Sequence, residues 1–351
     1  MRRAFVIFFA LLAYSFAGVQ QSAEKWQEMD LPDSNVSLRG LSNLGGRSPI
    51  VVTGTHGTFA LWDRTSKAWT VKHIPGAEQL DLRGVDITFT SNRKRVWLVI
   101  SSGPAEEGQA KVMRSEDDGE HWTTVWSTKR KGIFLDSISM LNESGYILGD
   151  PVNNHFFLLR TSDAGKTWSE ASSASMPAAL PGEGAFAASN SNIVYDRTAV
   201  SFVTGGASKS RFFQSRDGGK SWQVVDTPIP AGKPSAGIFS LSLNSLDGII
   251  SGGDYLHPEQ LGPNVAITHD GGRHWTAVSK PFPYRSSAYY LRSKYVVAGP
   301  SGSEISTDGG NTWRELGGSD WNVIRVGATA CEVTIAGMHG KVAHFQYGSC
   351  L

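Results

Sequence analysis

Short apolar runs separated by turn-forming residues recur along the whole chain. Residues 156–160 and 265–267 are examples, and glycine, serine, asparagine and aspartate are common between such runs. Apolar runs of this length bounded by turn residues are typical of β-strands. After residue 17, no segment of useful length has the period of an amphipathic helix. The pattern predicts an all-β fold.

One eight-residue motif, Ser/Thr-x-Asp-x-Gly-x-x-Trp, is repeated between these runs. The Trp residues of successive copies are 46, 54, 53 and 38 positions apart, which suits one four-stranded propeller blade per copy. Apolar runs flank the copies, so we expect each motif to form a hairpin turn. The motif is the Asp box of the bacterial neuraminidase repeat. Its aspartates and tryptophans are Asp117 and Trp122, Asp163 and Trp168, Asp217 and Trp222, Asp270 and Trp275, and Asp308 and Trp313.

The residue types of the box point to a structural role. An aspartate in a turn accepts backbone N–H groups, and a glycine there adopts a positive φ at little cost. The large tryptophan ring can pack between neighbouring blades. Because the same chemistry recurs in every copy, we expect the boxes to stabilise turns rather than to catalyse a reaction.

Two further blades carry degenerate boxes, and the chain ends suggest how the ring closes. Trp69 keeps the spacing, although Arg64 and Ser66 replace the aspartate and glycine. The C-terminal region offers three strands and lacks a fourth, whereas a strand-like segment follows Trp26. If that segment completes the last blade, no sheet edge stays open. We therefore predict a single seven-bladed β-propeller domain over residues 24–348.

Seven similar segments are predicted to be the innermost strands of the blades. Their internal alignment supports the division into seven blades. The segments are residues 37–42, 81–86, 134–139, 184–189, 237–242, 287–291 and 322–326.

The first 17 residues have the composition of a secretory signal peptide. A basic Met-Arg-Arg start precedes an apolar run, and Ser15-Phe16-Ala17 supplies small residues for cleavage after Ala17. The run is short for a membrane span, and no cysteine follows it for lipid attachment. We expect a monomeric protein that is secreted or periplasmic. In an exported chain, Cys331 and Cys350 are expected to form a disulfide.

The charge of the chain excludes some partner classes. Its 33 Lys and Arg residues nearly balance 32 Asp and Glu residues, a formal net charge of +1. Such a balance gives no electrostatic reason to bind nucleic acid or an anionic membrane. The sequence has no dinucleotide-binding or haem-attachment motif and no cysteine pattern suited to a metal. No cofactor and no metal are therefore predicted.

Charged and aromatic residues gather on the propeller face opposite the boxes. That face is formed by the starts of the inner strands and by the turns between second and third strands, and grafted sites are common on such loops. The candidate binding residues there are Arg39, Arg83, Asp136, Asp150, Glu183, Asp254, Tyr255 and Arg285.

Three interpretations of these residues stay open. The charges can pair with one another around a solvated channel. Arg39 and Arg83 can grip a carboxylate or an acidic peptide segment. Alternatively, two carboxylates among Asp136, Asp150 and Glu183 can act as acid and base on a glycoside.

The chain also resembles a known family along nearly its whole mature length. The resemblance to photosystem II stability/assembly-factor-like propellers rests on Leu-Arg-Gly-Leu at 38–41, Gly-Asp-Pro at 149–151 and the segments 182–189, 236–240 and 252–255, interleaved with the boxes. Asp-box sialidases carry an Arg-Ile/Leu-Pro motif, whereas residues 73–75 here read His-Ile-Pro. The resemblance implies a non-catalytic assembly scaffold for a protein partner, such as a segment of a membrane protein. A glycoside hydrolase or lyase that acts on carbohydrate is the alternative.

Overall fold

The computed structural model describes residues 26–46, 48–291, 294–327 and 332–346. Within these ranges the chain forms strands and two short 3-10 segments, Ala105–Glu107 and Met338–Gly340. The predicted signal peptide and both cysteines lie outside the described residues. No helix in the described ranges is both long and apolar enough to cross a membrane.

Twenty-eight strands form seven four-stranded antiparallel sheets arranged as the blades of a ring. This architecture confirms the predicted seven-bladed all-β propeller. From the innermost strand outward, blade 1 contains β2 (Leu38–Asn43), β3 (Ile50–Gly54), β4 (Thr58–Asp63) and β5 (Ala68–His73), and blade 2 contains β6 (Gly84–Phe89), β7 (Arg95–Ser101), β8 (Lys111–Ser115) and β9 (Thr123–Ser127). Blade 3 contains β10 (Leu135–Leu141), β11 (Ser144–Val152), β12 (His155–Thr161) and β13 (Ser169–Glu170), and blade 4 contains β14 (Ile193–Tyr195), β15 (Val200–Val203), β16 (Arg211–Ser215) and β17 (Gln223–Asp226).

The remaining three blades follow the same order, and the first strand of the chain completes the last of them. Blade 5 contains β18 (Ala236–Asn244), β19 (Asp247–Asp254), β20 (Val265–Thr268) and β21 (Thr276–Ala277), and blade 6 contains β22 (Ser287–Leu291), β23 (Lys294–Gly299), β24 (Gly302–Ser306) and β25 (Arg314–Glu315). Blade 7 contains β26 (Trp321–Val326), β27 (Glu332–Gly337), β28 (Val342–Gln346) and, as its outermost strand, β1 (Gln27–Glu28).

The ring closes where β1 pairs with β28. Gln27 lies opposite His344 in this ladder, and the backbone N–H of Met29 continues it by donating to Val342 O at 2.7 Å. The pairing covers the edge of β28, which would otherwise offer unpaired backbone groups to other chains. The predicted N-terminal closure is confirmed.

Aromatic side chains from adjacent blades fill the space between the sheets. The box residue Trp122 of blade 2 meets Phe59 of blade 1 edge-to-face, with ring centroids 5.0 Å apart. Trp275 of blade 5 meets Phe212 of blade 4 in the same way at 5.5 Å. Burial of these rings stabilises the contacts between blades, as predicted for the box tryptophans.

Each box aspartate accepts hydrogen bonds from the residue four positions later. Asp163 accepts the backbone N–H of Thr167 at 3.0 Å and its hydroxyl at 2.6 Å, and the Thr161 hydroxyl also donates to it at 2.8 Å. The other boxes repeat the backbone bond, for example from Ser221 to Asp217 at 2.9 Å. The boxes are turn-stabilising units in the structure.

Replacing a box aspartate is expected to lower stability, and the loss should depend on pH. Burial opposes ionisation of Asp163, but hydrogen bonds from Thr167 and Thr161 overcome it and hold the pKa below 3.8. The stabilisation is therefore present above about pH 4 and is lost as pH falls through the lower pKa of the folded state. Asp163→Ala should lower the free energy of unfolding by about 1–3 kcal/mol near neutral pH, measured by urea unfolding. The gap to wild type should shrink at acid pH, and a gap that grows there would contradict this account.

One predicted inner strand is wrong. Residues 184–189 do not form the inner strand of blade 4, which is the three-residue β14 further along the chain. Within blade 4, Gly184 bridges to Gly205 and Asn192 O accepts the N–H of Val203, but many of the other polar groups of residues 184–192 bond to other blades. We call residues 184–192 the plug.

The plug crosses the centre of the ring and hydrogen-bonds to the inner region of every other blade. Small side chains allow this close approach, because alanine, serine and asparagine predominate in the segment. The partners from blades 1, 2, 3, 5, 6 and 7 are, respectively, the Arg39 side chain, Val85 O, Ile138 N, Leu241 N, Ser286 O and the Arg325 side chain. The plug occupies the channel that an open propeller would leave.

Candidate functional site

A cavity of about 520 Å³ lies on the side of the plug away from the boxes. We call this side of the ring the cavity face and the other side the box face. Five of the eight predicted binding residues line the cavity, together with plug residues and aromatic side chains. The five are Arg39, Arg83, Asp136, Asp150 and Tyr255.

Irregularities in the strand ladders aim several side chains into this cavity. In blade 3, Leu135 pairs with Gly149 and Ser137 with Leu148, so the ladder skips Asp136. A residue that bulges from a ladder bends its strand and redirects its side chain. The same irregularity occurs at four other cavity residues, namely Arg39, Asp150, Phe239 and Asn322.

Arg39 brings an uncompensated positive charge to the cavity. Its Nη1 donates to the plug carbonyl of Ala188 at 3.4 Å. Among the described residues, no carboxylate forms an ion pair with it. Burial lowers the pKa of Arg39, as does Arg83 nearby, whereas Asp81 opposes the shift. Arginine nevertheless stays protonated in proteins, so this guanidinium favours the binding of an anionic group.

Arg83 stands beside Arg39 and is partly neutralised. Its Nε donates to Asp81 Oδ2 at 2.6 Å, and its Nη1 donates to the plug carbonyl of Ala187 at 3.3 Å. Both members of this ion pair are partly exposed, at 30% and 22% of their side-chain areas. The plug therefore holds both guanidinium groups in place through backbone carbonyls.

Asp136 and Asp150 bring two carboxyl groups to the same cavity. Asp136 is 1% exposed, and burial raises its pKa well above 3.8, with a further rise from Asp150 and an opposing effect of Arg83. Burial also raises the pKa of Asp150, although that carboxylate accepts the N–H of Ala185 at 3.0 Å. The pair favours a state in which at least one carboxyl carries a proton.

Aromatic rings form one wall of the cavity, and the sequence analysis missed most of them. Phe186 of the plug stacks on Phe239 with centroids 4.0 Å apart, and Tyr284 meets Phe239 edge-on at 4.8 Å. Tyr255 approaches the same ring at 6.1 Å and is 48% exposed. The only sequence signal was their position in or near inner strands, which they share with ordinary core residues.

Exposed apolar side chains lie on the two loops that contribute Tyr255 and Met338 to the cavity lining. Leu256 and Leu261 are 65% and 62% exposed and belong to the loop after β19 that also carries Tyr255. Met338 follows β27, lines the cavity and is 39% exposed. We call Tyr255, Leu256, Leu261 and Met338 the apolar rim. Clusters of exposed apolar side chains beside polar groups are typical of protein-binding surfaces.

The remaining three predicted residues are held in ion pairs outside the cavity lining. Glu183 makes a two-pronged ion pair with Arg211, and its Oε1 accepts the Arg211 Nε at 2.8 Å. Asp254 pairs with Lys233 at 3.0 Å, and Arg285 pairs with Glu304 at 2.9 Å. The charge of each group is balanced by its partner, as the structural interpretation of the charges expects. Within the described ranges, no cluster of three or more His, Cys, Asp or Glu residues is arranged to hold a metal.

The fold and site together define a seven-bladed Asp-box propeller with a plugged channel and a cationic cavity on one face. The family model described as Photosynthesis system II assembly factor YCF48 matches residues 60–200. A search of curated proteins found no match.

Solved structures with the same fold include two YCF48 propellers. The one described as YCF48 bound to D1 peptide has a TM-score of 0.66 at 14% identity, covering 93% of this chain and 96% of that one. YCF48 from Cyanidioschyzon merolae has a TM-score of 0.62 at 13% identity, covering 92% and 99%. The GH74 enzyme of Niastella koreensis has a TM-score of 0.59 at 14% identity, covering 91% of this chain and 53% of that one.

The family match and the two YCF48 structures confirm the resemblance drawn from the sequence motifs. Over residues 60–200 the chain is similar to the photosystem II assembly-factor family, and over most of its length it shares the propeller fold of the YCF48 structures. At these identities the structural matches show a shared fold alone. The match to the glycoside hydrolase therefore gives no information about catalysis.

Proposed function

We propose that this protein is a non-catalytic scaffold that binds a protein partner through its cavity face. The observation that carries the proposal is Arg39, a guanidinium without a carboxylate partner in the described chain, placed in an open cavity that Tyr255 and Met338 of the apolar rim also line. A YCF48 structure with the same fold is described as bound to a D1 peptide, which supports a peptide-binding role for such propellers.

The chemistry of the cavity selects the kind of segment that binds. An acidic side chain or a chain-terminal carboxylate would meet Arg39 and Arg83, which suit fork-like hydrogen bonding. Apolar residues beside that carboxylate would pack on the aromatic wall and the apolar rim. We further propose that binding takes place outside the cytoplasm, after export through the signal peptide at residues 1–17, and that a segment of a membrane protein is a suitable partner.

The test compares two double variants that remove the same charge from opposite faces. Arg39→Ala/Arg83→Ala empties the cavity of cations, whereas Arg216→Ala/Arg273→Ala removes two exposed arginines from box turns. Partners captured from the native envelope fraction would be identified, and binding of their labelled segments measured by fluorescence anisotropy. The cavity variant should lose at least about tenfold in affinity, while the box-face variant should bind like wild type.

Wild type and one further variant, Asp136→Asn, test the rival function. Asp136 and Asp150 both line the cavity, so a carbohydrate-cleaving pair is the alternative use of this site. Turnover of a glycoside panel by purified protein, abolished in Asp136→Asn, would replace the scaffold proposal with an enzyme. Equal binding by both double variants would show that the partner binds elsewhere.

A further inference from the structure

One carboxyl oxygen on the cavity wall has no hydrogen-bond partner. Several buried side-chain polar atoms in the described chain lack a partner, and Asp136 Oδ2 is the one that belongs to a residue lining this cavity. The Asp136 side chain is 1% exposed and sits at the ladder irregularity of β10, which points it toward the channel. Buried polar atoms are almost always paired, so an unpaired one on a cavity wall indicates a group that a ligand completes.

The surroundings of Asp136 favour its neutral form. Asp150 on β11 faces it with a like charge, whereas Arg83, which precedes β6, attracts it. Arg83 already forms an ion pair with Asp81, and Arg39 on β2 lines the same cavity. The plug contributes backbone and uncharged side chains only. Burial and Asp150 therefore outweigh Arg83, and together they raise the pKa of Asp136.

We propose that Asp136 is a neutral carboxyl that donates a hydrogen bond to a carboxylate of the bound segment, beside Arg39, so that binding of the acidic group takes up a proton wherever the free Asp136 carboxyl is ionised. This inference rests on the proposed binding function and specifies the chemistry of that site. The Asp136 O–H donates to one carboxylate oxygen, while the Arg39 guanidinium donates to the same group. No bond other than hydrogen bonds forms or breaks.

The charge balance of the cavity agrees with this arrangement. With Asp136 neutral, Arg83 is balanced by Asp81, whereas Arg39 has no ion-pair partner among the described residues and Asp150 already accepts the N–H of Ala185. An ionised Asp136 would add a further negative charge that repels an acidic ligand. A neutral Asp136 adds a donor instead, and hydrogen bonds to charged acceptors are among the stronger ones.

Affinity should then depend on pH with a definite sign. Binding requires the protonated carboxyl, so the dissociation constant is constant where free Asp136 is already protonated. It rises by up to about tenfold per pH unit once the free carboxyl ionises. If a carboxylate ligand bound without requiring a protonated Asp136, its dissociation constant would not rise in the alkaline range.

The experiment uses labelled peptides and three versions of the full chain. The probes are decapeptides with apolar residues beside a terminal carboxylate, the same sequences ending in an amide, and versions with an internal Glu or Gln. Wild type, Asp136→Asn and Asp86→Asn are compared by anisotropy from about pH 6 to about pH 9. Asp86 is a matched control, because burial raises its pKa to about 6 and it lines a different cavity, on the box side of the plug.

We expect wild type and Asp86→Asn to bind carboxylate peptides more weakly as pH rises, and Asp136→Asn to bind them without that dependence. The asparagine amide still donates a hydrogen bond, so affinity near pH 6 should stay within about threefold of wild type. The amide-ended and Gln probes show whether the carboxylate is a chain end or a side chain.

Two kinds of failure are distinguishable. If carboxylate peptides bind but Asp136→Asn abolishes binding, or has the pH profile of wild type, the role of the neutral carboxyl is overturned. If no carboxylate peptide binds wild type, or if binding survives Arg39→Ala/Arg83→Ala, the proposed function itself fails. Melting temperatures at each pH exclude misfolding as the cause.

Discussion

A chain that begins at Asn35 should melt on the order of 10 °C below the full-length protein, because it lacks the strand that closes the ring. Met29 and Leu31 are 6% and 5% exposed and pack with Val342 and Leu38 where blades 7 and 1 meet. Loss of two such buried side chains costs about 5 kcal/mol. Trp26 adds a ring contact with Phe345 at 5.2 Å.

The control is a chain that begins at Ser22, which keeps β1 and the residues that pack around it. Thermal unfolding followed by circular dichroism compares the two chains, and light scattering reports association. The shorter chain also exposes the edge of β28, so we expect it to aggregate as it melts. Identical melting temperatures for the two chains would show that β1 does not close the ring.

The boxes could be predicted because their hydrogen bonds are local and the motif is periodic. The closure could be predicted because the strand count left one blade incomplete. Asp163 finds its partners, Thr161 and Thr167, within the eight residues of its own box. Such contacts are fixed by sequence spacing and leave the same signature in each blade. The three C-terminal strands without a fourth required a partner from elsewhere, and the segment after Trp26 was available.

The plug could not be predicted from the same kind of pattern. Residues 184–189 align with inner strands of other blades, but their hydrogen bonds reach residues as distant as Arg39 and Ser286. Because the hydrogen-bond partners of the plug are distributed around the ring, its sequence has no repeating pattern that would identify it. Sequence similarity to neighbouring repeats therefore predicted a strand where the chain instead crosses the channel.

The site was predicted only in part, for a related reason. Arg39 and Glu183 look alike in sequence, as charged residues at or near inner strands. Glu183 is neutralised by Arg211, 28 residues later, whereas Arg39 has no such counter-ion in the described chain. The ladder irregularities at Asp136 and Asp150 also decide which side chains face the cavity, and no residue type marks them.

Asn190 holds the plug to blades 2 and 3. Its Oδ1 accepts the N–H of Ile138 at 2.8 Å, and its Nδ2 donates to the carbonyl of Val85 at 3.1 Å. The residue is 5% exposed and has a φ of 51°, a left-handed conformation that asparagine tolerates better than alanine. The side chain thus satisfies two backbone groups of neighbouring inner strands and suits the bend of the plug.

Asn190→Ala should lower the free energy of unfolding by about 2–4 kcal/mol, since both backbone groups stay buried without partners. Asn153→Ala is the matched control, because Asn153 has a φ of 53° but is exposed, so it shares the backbone strain and lacks the buried bonds. Urea unfolding measures the difference between them. The Asn190 variant should also bind carboxylate peptides more weakly than Asn153→Ala, because the plug carbonyls of Ala187 and Ala188 position Arg83 and Arg39. Equal losses of stability in the two variants would assign the effect to backbone strain alone. They would also show that the Asn190 hydrogen bonds do not hold the plug in the position that the site requires.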